Sequence, residues 1–267
     1  MKQTKIVMWL LSIAVMVALA GGCASFKTAP TTQPVEITVF AAMGLKEALL
    51  DIQKDYEAKY PDVKIVCNFA GSGTLQTQIE QGASVDIFLS AAEKQLNELQ
   101  KKNLINPATR KNLVGNQLVI VVPKDSNLGL VSFQNLEKND VKKIGLGATE
   151  TVPAGEYGME VLKFLGIWDE VKDKSVRGKD VQTLLAYAEM GNVDASIVFS
   201  AVAVTSDKVK IVAVAPPGSH RPIIFPGAVL AGAKQPKAAE KFLSYLTGPE
   251  GSKVFVKYGF NPLGAKQ

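Results

Sequence analysis

The chain has 267 residues, with 30 Lys and Arg against 25 Asp and Glu, one His and two Cys. Apolar residues make up 47% and charged residues 21%, a balance that excludes a disordered or fibrous chain and leaves enough apolar material for a two-lobed globular body. The lone His220 gives no Ser-His-Asp arrangement a base and no metal a ligand cluster, and the scattered lysines, without interleaved aromatics, do not point to nucleic acid.

The first segment reads as an export signal. Lys2 and Lys5 precede an apolar run from Ile6 to Ala20, shorter than the roughly 20 residues a membrane-spanning helix needs, and small residues Ala20-Gly21-Gly22 lead to Cys23. Cys23 stands where lipoprotein processing would leave an acylated N-terminal cysteine; the alternative is an ordinary cleaved signal with an incidental cysteine. Residues 23–34, rich in Ser, Thr and Pro, read as a lipidated tether. Loss of residues 1–22 removes two lysines and no acid, so the net charge falls from +5 to +3. Cys67 is then alone, and its alternation with Val63, Ile65 and Phe69 predicts a small apolar residue on the buried face of a strand.

In chain order, Val35 to Phe40 alternates as a strand, and Leu45 to Tyr60 follows as a helix stopped by Pro61. Val63 to Phe69 is a second strand. It runs into Ala70-Gly71-Ser72-Gly73-Thr74, whose glycines would allow a sharp turn and close approach of a ligand, and then into a helix carrying Leu75 and Ile79 that stops at Gly82. Val85 to Leu89 is a buried strand delivering Ser90-Ala91-Ala92 to a helix with Leu96 and Leu99. A polar stretch reaches Gly115. Gln117 to Pro123, apolar on both faces, predicts a strand buried in a parallel sheet. A second set of units follows: a strand at Lys143 to Gly147, a helix opened by Val152-Pro153-Ala154-Gly155 and closed by Gly166, a helix opened at Val181 and closed by Gly191, and strands at 194–200 and 209–215. A strand at 223–230 and helices from Pro236 and Pro249 end the chain. The expected architecture is α/β with two lobes, residues 35–118 with 217–267 and residues 119–216, and a ligand cleft between them.

Free N–H groups in the first turn of a helix, with the Ser72 and Thr74 hydroxyls beside them, can hold an oxyanion without any lysine or arginine. Gly-Ser-Gly-Thr turns are common, so this one gains meaning only if other donors converge on it. Helix starts at Gly44, Ala91, Ala154 and Val181 are the candidates. Together with an export signal they favour a binding protein that closes on a small anion. The enzyme alternative, a secreted hydrolase using Ser72, lacks both the nucleophile-elbow pattern and a histidine partner.

The segments VEITVFAAMGLKEAL, FAGSGTLQTQIEQGASVDIFLSAA, LVGNQLVIVVPK, TVPAGEYGMEVLKFLGIWD and GPEGSKVFVKYGF resemble the periplasmic molybdate-binding proteins of ABC importers, over about residues 35–262. The resemblance implies a type II periplasmic-binding-protein fold, each lobe a mostly parallel sheet flanked by helices. It also implies a tetrahedral oxyanion ligand, molybdate or tungstate, an ABC permease with its ATPase as partners, a monomer, no cofactor and no catalysis. Ser72, Ala91, Ala154 and Val181 match the family's oxyanion-holding positions. Gly44 stands where the family has a serine and Phe199 where it has a tyrosine. Loss of two hydroxyls that bond a charged ligand would weaken binding by roughly 3–6 kcal/mol, about 100-fold to ten-thousand-fold, unless other groups compensate. Tyr157, Ser90 and Ser200 are the substitutes that proximity in sequence suggests. The rival reading is a receptor of the same fold for a different small anion, or a sensory solute receptor.

Overall fold

A computed structural model of the protein describes residues 34–263. The expected signal, Cys23 and the tether up to residue 33 lie outside the described residues. Strand β1 (Val35–Ala42) buries Ile37, Val39 and Ala41 completely on one face and passes through a short 3-10 turn, Met43–Leu45, into helix α1 (Lys46–Lys59). Its buried Leu49, Ile52 and Tyr56 recur at the three- and four-residue spacing of a helix that lies on a sheet. Strand β2 (Val63–Ala70), helix α2 (Ser72–Glu80), strand β3 (Ile87–Leu89) and helix α3 (Glu93–Lys101) follow. Gly82, at φ +89°, takes the left-handed conformation that ends α2.

The polar stretch before Gly115 holds an unexpected strand, β4 (Lys111–Gly115), buried only over Leu113–Gly115. Next come β5 (Leu118–Pro123), β6 (Ile144–Gly147), α4 (Pro153–Phe164), α5 (Trp168–Lys172), β7 (Ser175–Gly178), α6 (Val181–Glu189), β8 (Ala195–Phe199), α7 (Ser200–Ala203), β9 (Val209–Val214), β10 (Ile224–Val229), α8 (Pro236–Thr247) and α9 (Pro249–Lys257).

These strands make two five-stranded sheets, ordered β2-β1-β3-β10-β4 and β7-β6-β8-β5-β9. The pairs β1–β2, β1–β3, β6–β7 and β6–β8 are parallel, so helices lie between them and the strand C-terminal ends point one way. Strand β5 differs from expectation. It is buried on both faces, yet it pairs antiparallel with both β8 and β9. Its apolar character comes from a position inside the sheet rather than from a parallel neighbour. Likewise β10 runs antiparallel to β3 and β4, so both sheets are mixed.

The chain passes from the first sheet to the second between Gly115 and Leu118 and returns between Val214 and Ile224. Asn116 ties these crossings together. Its N–H donates to Ile223 O (3.2 Å), and its Oδ1 accepts from the Ser200 hydroxyl (2.9 Å) and from Gln117 N–H (2.9 Å). The result is a two-lobed type II periplasmic-binding-protein fold whose α2, α3, α4 and α6 all begin where a strand ends, the place where open α/β sheets hold ligands.

Candidate anion site

Between the two sheets lies a small pocket lined by residues from both. Gly44, Ser72 and Ala91 belong to the first lobe, Ala154, Val181 and Phe199 to the second. These are six of the residues singled out in the sequence, and the fold brings all six to one place. No Lys, Arg or His is among the lining residues.

Backbone donors set the chemistry. Helices α2, α3 and α4 start at Gly71, Ala92 and Val152, residues with no side chain able to cap, so their first N–H groups have no side-chain acceptor. Helix α4 also has Pro153 in its first position, which leaves Ala154 as its first donor. Helix α6 is capped by Asp180, whose Oδ1 accepts from Thr183 N–H at 2.8 Å and from the Thr183 hydroxyl at 2.9 Å. Asp180 is among the lining residues, but its Oδ1 is turned along α6 to Thr183 and does not take up the Val181 N–H. Ser72 is fully buried, and its Oγ accepts the Ala91 N–H at 3.0 Å. This bond orients the hydroxyl and leaves its proton free to donate. The enclosed space is about 10 Å3, far below the roughly 300–1,000 Å3 of sites that take organic ligands. A small ion surrounded by neutral donors and helix N-termini is what such a site suits.

The other side of the pocket is apolar. A Cβ on Gly44 would stand 3.5 Å from Val181 Cγ1, 3.6 Å from Phe199 Cδ2 and 3.7 Å from Phe225 Cε1, ordinary contact distances. The Phe199 ring is 1% exposed and packs edge-on against Phe225, with centroids 5.2 Å apart.

None of the suggested substitutes brings a hydroxyl to this side. Tyr157 is buried beside the pocket without lining it. Its hydroxyl lies 3.4 Å from Pro222 O, the Arg221 guanidinium sits over its ring, and burial pushes its pKa up to about 12. Ser200 donates to Asn116, and Ser90 Oγ accepts the Ala92 N–H at 3.2 Å. His220 lies outside the anion pocket, edge-on to Tyr157, and borders a broader cavity of about 400 Å3 at the crossing segments, lined also by Asn116, Leu118, Pro216 and Pro217.

The two glycines of the Gly-Ser-Gly turn have a different reason from the one the sequence suggested. Neither has positive φ; Gly71 sits at φ −60° and Gly73 lies within α2. What needs them is the opposite lobe. A Cβ on Gly73 would be 2.6 Å from Thr151 Cα, and one on Gly71 2.9 Å from Lys179 O. The Gly73 N–H donates to Thr151 O at 2.9 Å, a backbone hydrogen bond across the cleft. Sequence reading could not have found this, because Thr151 is remote in the chain and nothing in either segment signals that their backbones meet.

The profile of the bacterial extracellular solute-binding proteins matches residues 37–261. The chain belongs to that family. Among curated members it is similar to a putative ABC transporter substrate-binding lipoprotein of Bacillus subtilis, 44% identical over 91% of this chain and 93% of that one. It is also similar to the molybdate-binding protein ModA of Haemophilus influenzae, 40% identical over 85% of this chain and 90% of that one. Among solved structures, the substrate-binding domain of a putative molybdenum ABC transporter from Clostridium difficile superposes with a TM-score of 0.67 at 39% identity, covering 86% of this chain and 99% of that one. The Azotobacter vinelandii periplasmic molybdate-binding protein, at 22% identity and a TM-score of 0.75 over 84% of this chain and 98% of that one, shares the fold.

Proposed function

We propose that this solute-binding protein captures molybdate, with tungstate as its close analogue, outside the cytoplasm and delivers it to an ABC permease and its ATPase. The observation that carries the reading is the small pocket where the starts of α2, α4 and α6 and the Ser72 hydroxyl converge without a lysine, arginine or histidine. A doubly charged tetrahedral ion fits it because its oxygens can accept from neutral donors, so no buried cationic side chain is left unpaired when the ion leaves. Similarity to molybdate-binding relatives along most of the chain supports the same assignment. The protein works as a carrier, without turnover and without a cofactor, as a monomer held at the membrane by a lipid on Cys23 and the tether that follows it.

Calorimetric titration with molybdate, tungstate, sulfate and phosphate tests the ligand. Molybdate and tungstate bind with Kd of about 1 μM or below, and sulfate and phosphate bind far more weakly. Binding of none of the four, or a preference for sulfate or phosphate, overturns the assignment. The apolar side at Gly44 and Phe199 favours one second reading, a different small anion with fewer acceptors on that face, and the same titration separates the two.

A further inference from the structure

Lys94 is the second residue of α3, in the first turn, where the helix dipole disfavours a cation. Its ammonium has a partner across the cleft. Lys94 Nζ lies 3.2 Å from Glu156 Oε1 in the first turn of α4, on the opposite lobe. Glu156 is only 8% exposed, and the same oxygen receives Arg221 Nη2 at 2.8 Å. Arg221 belongs to the segment that returns from the second sheet to the first, and it is held there by Glu160, one helical turn beyond Glu156. Its own N–H donates to Glu160 Oε2 at 3.1 Å. One carboxylate therefore touches both the opposing lobe and the returning segment, two residues beyond Ala154 at the pocket.

We propose that Lys94 and Glu156 form a latch across the mouth of the cleft and are positioning residues that lengthen the stay of the bound ion, an inference that rests on the ligand-binding function above. The pair forms only when the lobes meet, because its members lie on α3 and α4. Glu156 is already oriented by Arg221, so closure has to order only the Lys94 side chain. With Lys94 half exposed, the latch is screened by salt. Ligand release therefore quickens as ionic strength rises, while the backbone donors in the pocket stay unscreened.

Two measurements on the full chain test it. The first is a double-mutant cycle of Lys94→Met and Glu156→Gln, read as the dissociation rate of molybdate at low and high salt, with Lys101→Met on the same helix as the control for simple loss of a positive field. Lys94→Met speeds release by about threefold to fivefold at low salt. The effect fades at high salt, is absent in the control, and is not additive with Glu156→Gln. Additive losses mean that Lys94 acts on the anion by field alone, and they overturn the latch. The second needs no ligand. Spin labels at Lys101→Cys and Lys163→Cys, with Cys23→Ser and Cys67→Ala, report the distance across the cleft. Lys94→Glu, which faces Glu156 with a second carboxylate, depletes the short-distance population; an unchanged distribution also overturns the proposal. Failure of the wild-type chain to bind any oxyanion would instead strike the assigned ligand, and the label distances would still report on the latch.

Discussion

The two sides of the anion pocket are built on opposite principles. On one side Ser72, Ala91, Ala154 and Val181 bring polar groups to helix starts, and the Ser72 hydroxyl is fixed by the Ala91 N–H at 3.0 Å. On the other, Gly44 and Phe199 present hydrogen and carbon, backed by Phe225. The difference teaches that the donor side depends on main-chain geometry, which the fold enforces, whereas the apolar side depends on side-chain identity and can be altered by substitution.

The largest effect is expected from Gly73→Ala, which breaks the comparison by keeping the two lobes apart. Its Cβ would stand 2.6 Å from Thr151 Cα. With the cleft unable to close, the Ala154 and Val181 N–H groups no longer reach the ion, and affinity measured by calorimetry falls by about 100-fold to ten-thousand-fold. The thermal midpoint does not fall, because alanine is favoured over glycine inside a helix by roughly 0.5–1 kcal/mol.

Next in size is a gain. Gly44→Ser with Phe199→Tyr places two hydroxyls on the bare side, and the Gly44 surroundings admit a Cβ at 3.5 Å or more. Molybdate binding tightens about several-hundred-fold. No gain in the same titration would show that the ion does not sit against this wall.

Ser72→Ala removes one charge-assisted hydrogen bond and leaves the buried Ala91 N–H without its acceptor. Affinity drops by about 10- to 150-fold, because such a bond contributes roughly 1.5–3 kcal/mol.

The smallest effect is at Cys67, remote from both sides. Burial pushes its thiol up to about 12, and its Sγ lies 3.7 Å from Gln53 Oε1. Iodoacetamide at pH 8 leaves Cys67 unmodified in the folded protein, as mass spectrometry of the Cys23→Ser variant would show, and binding is unchanged. Because the folded pKa lies above the ordinary value of 9.0, the stabilisation from keeping this thiol neutral is complete below about pH 9 and is lost as pH rises towards 12. Denaturant midpoints measured across that window test the sign.

Much of this was legible in the chain. The helix starts at Ser72, Pro153 and Val181 followed from turn chemistry and periodicity, and Gly82, Gly166, Gly191 and Gly259 all adopt the positive φ of helix-ending glycines. Strands β4 and β7 and helix α5 were not, because segments of four or five residues with polar members carry too little period to register. The antiparallel run of β5 was hidden because burial on both faces looks the same in either direction. At the site, sequence order grouped Tyr157 and Ser200 with the pocket residues, whereas the fold commits their hydroxyls to Pro222 and Asn116. Neighbourhood along the chain says little about where a side chain points.

The seam at Gly73 and Thr151 is made of main-chain atoms. Its donor and acceptor persist through any exchange of side chains that keeps glycine at 71 and 73, so the way the jaws meet is guarded by two missing side chains rather than by any that are present.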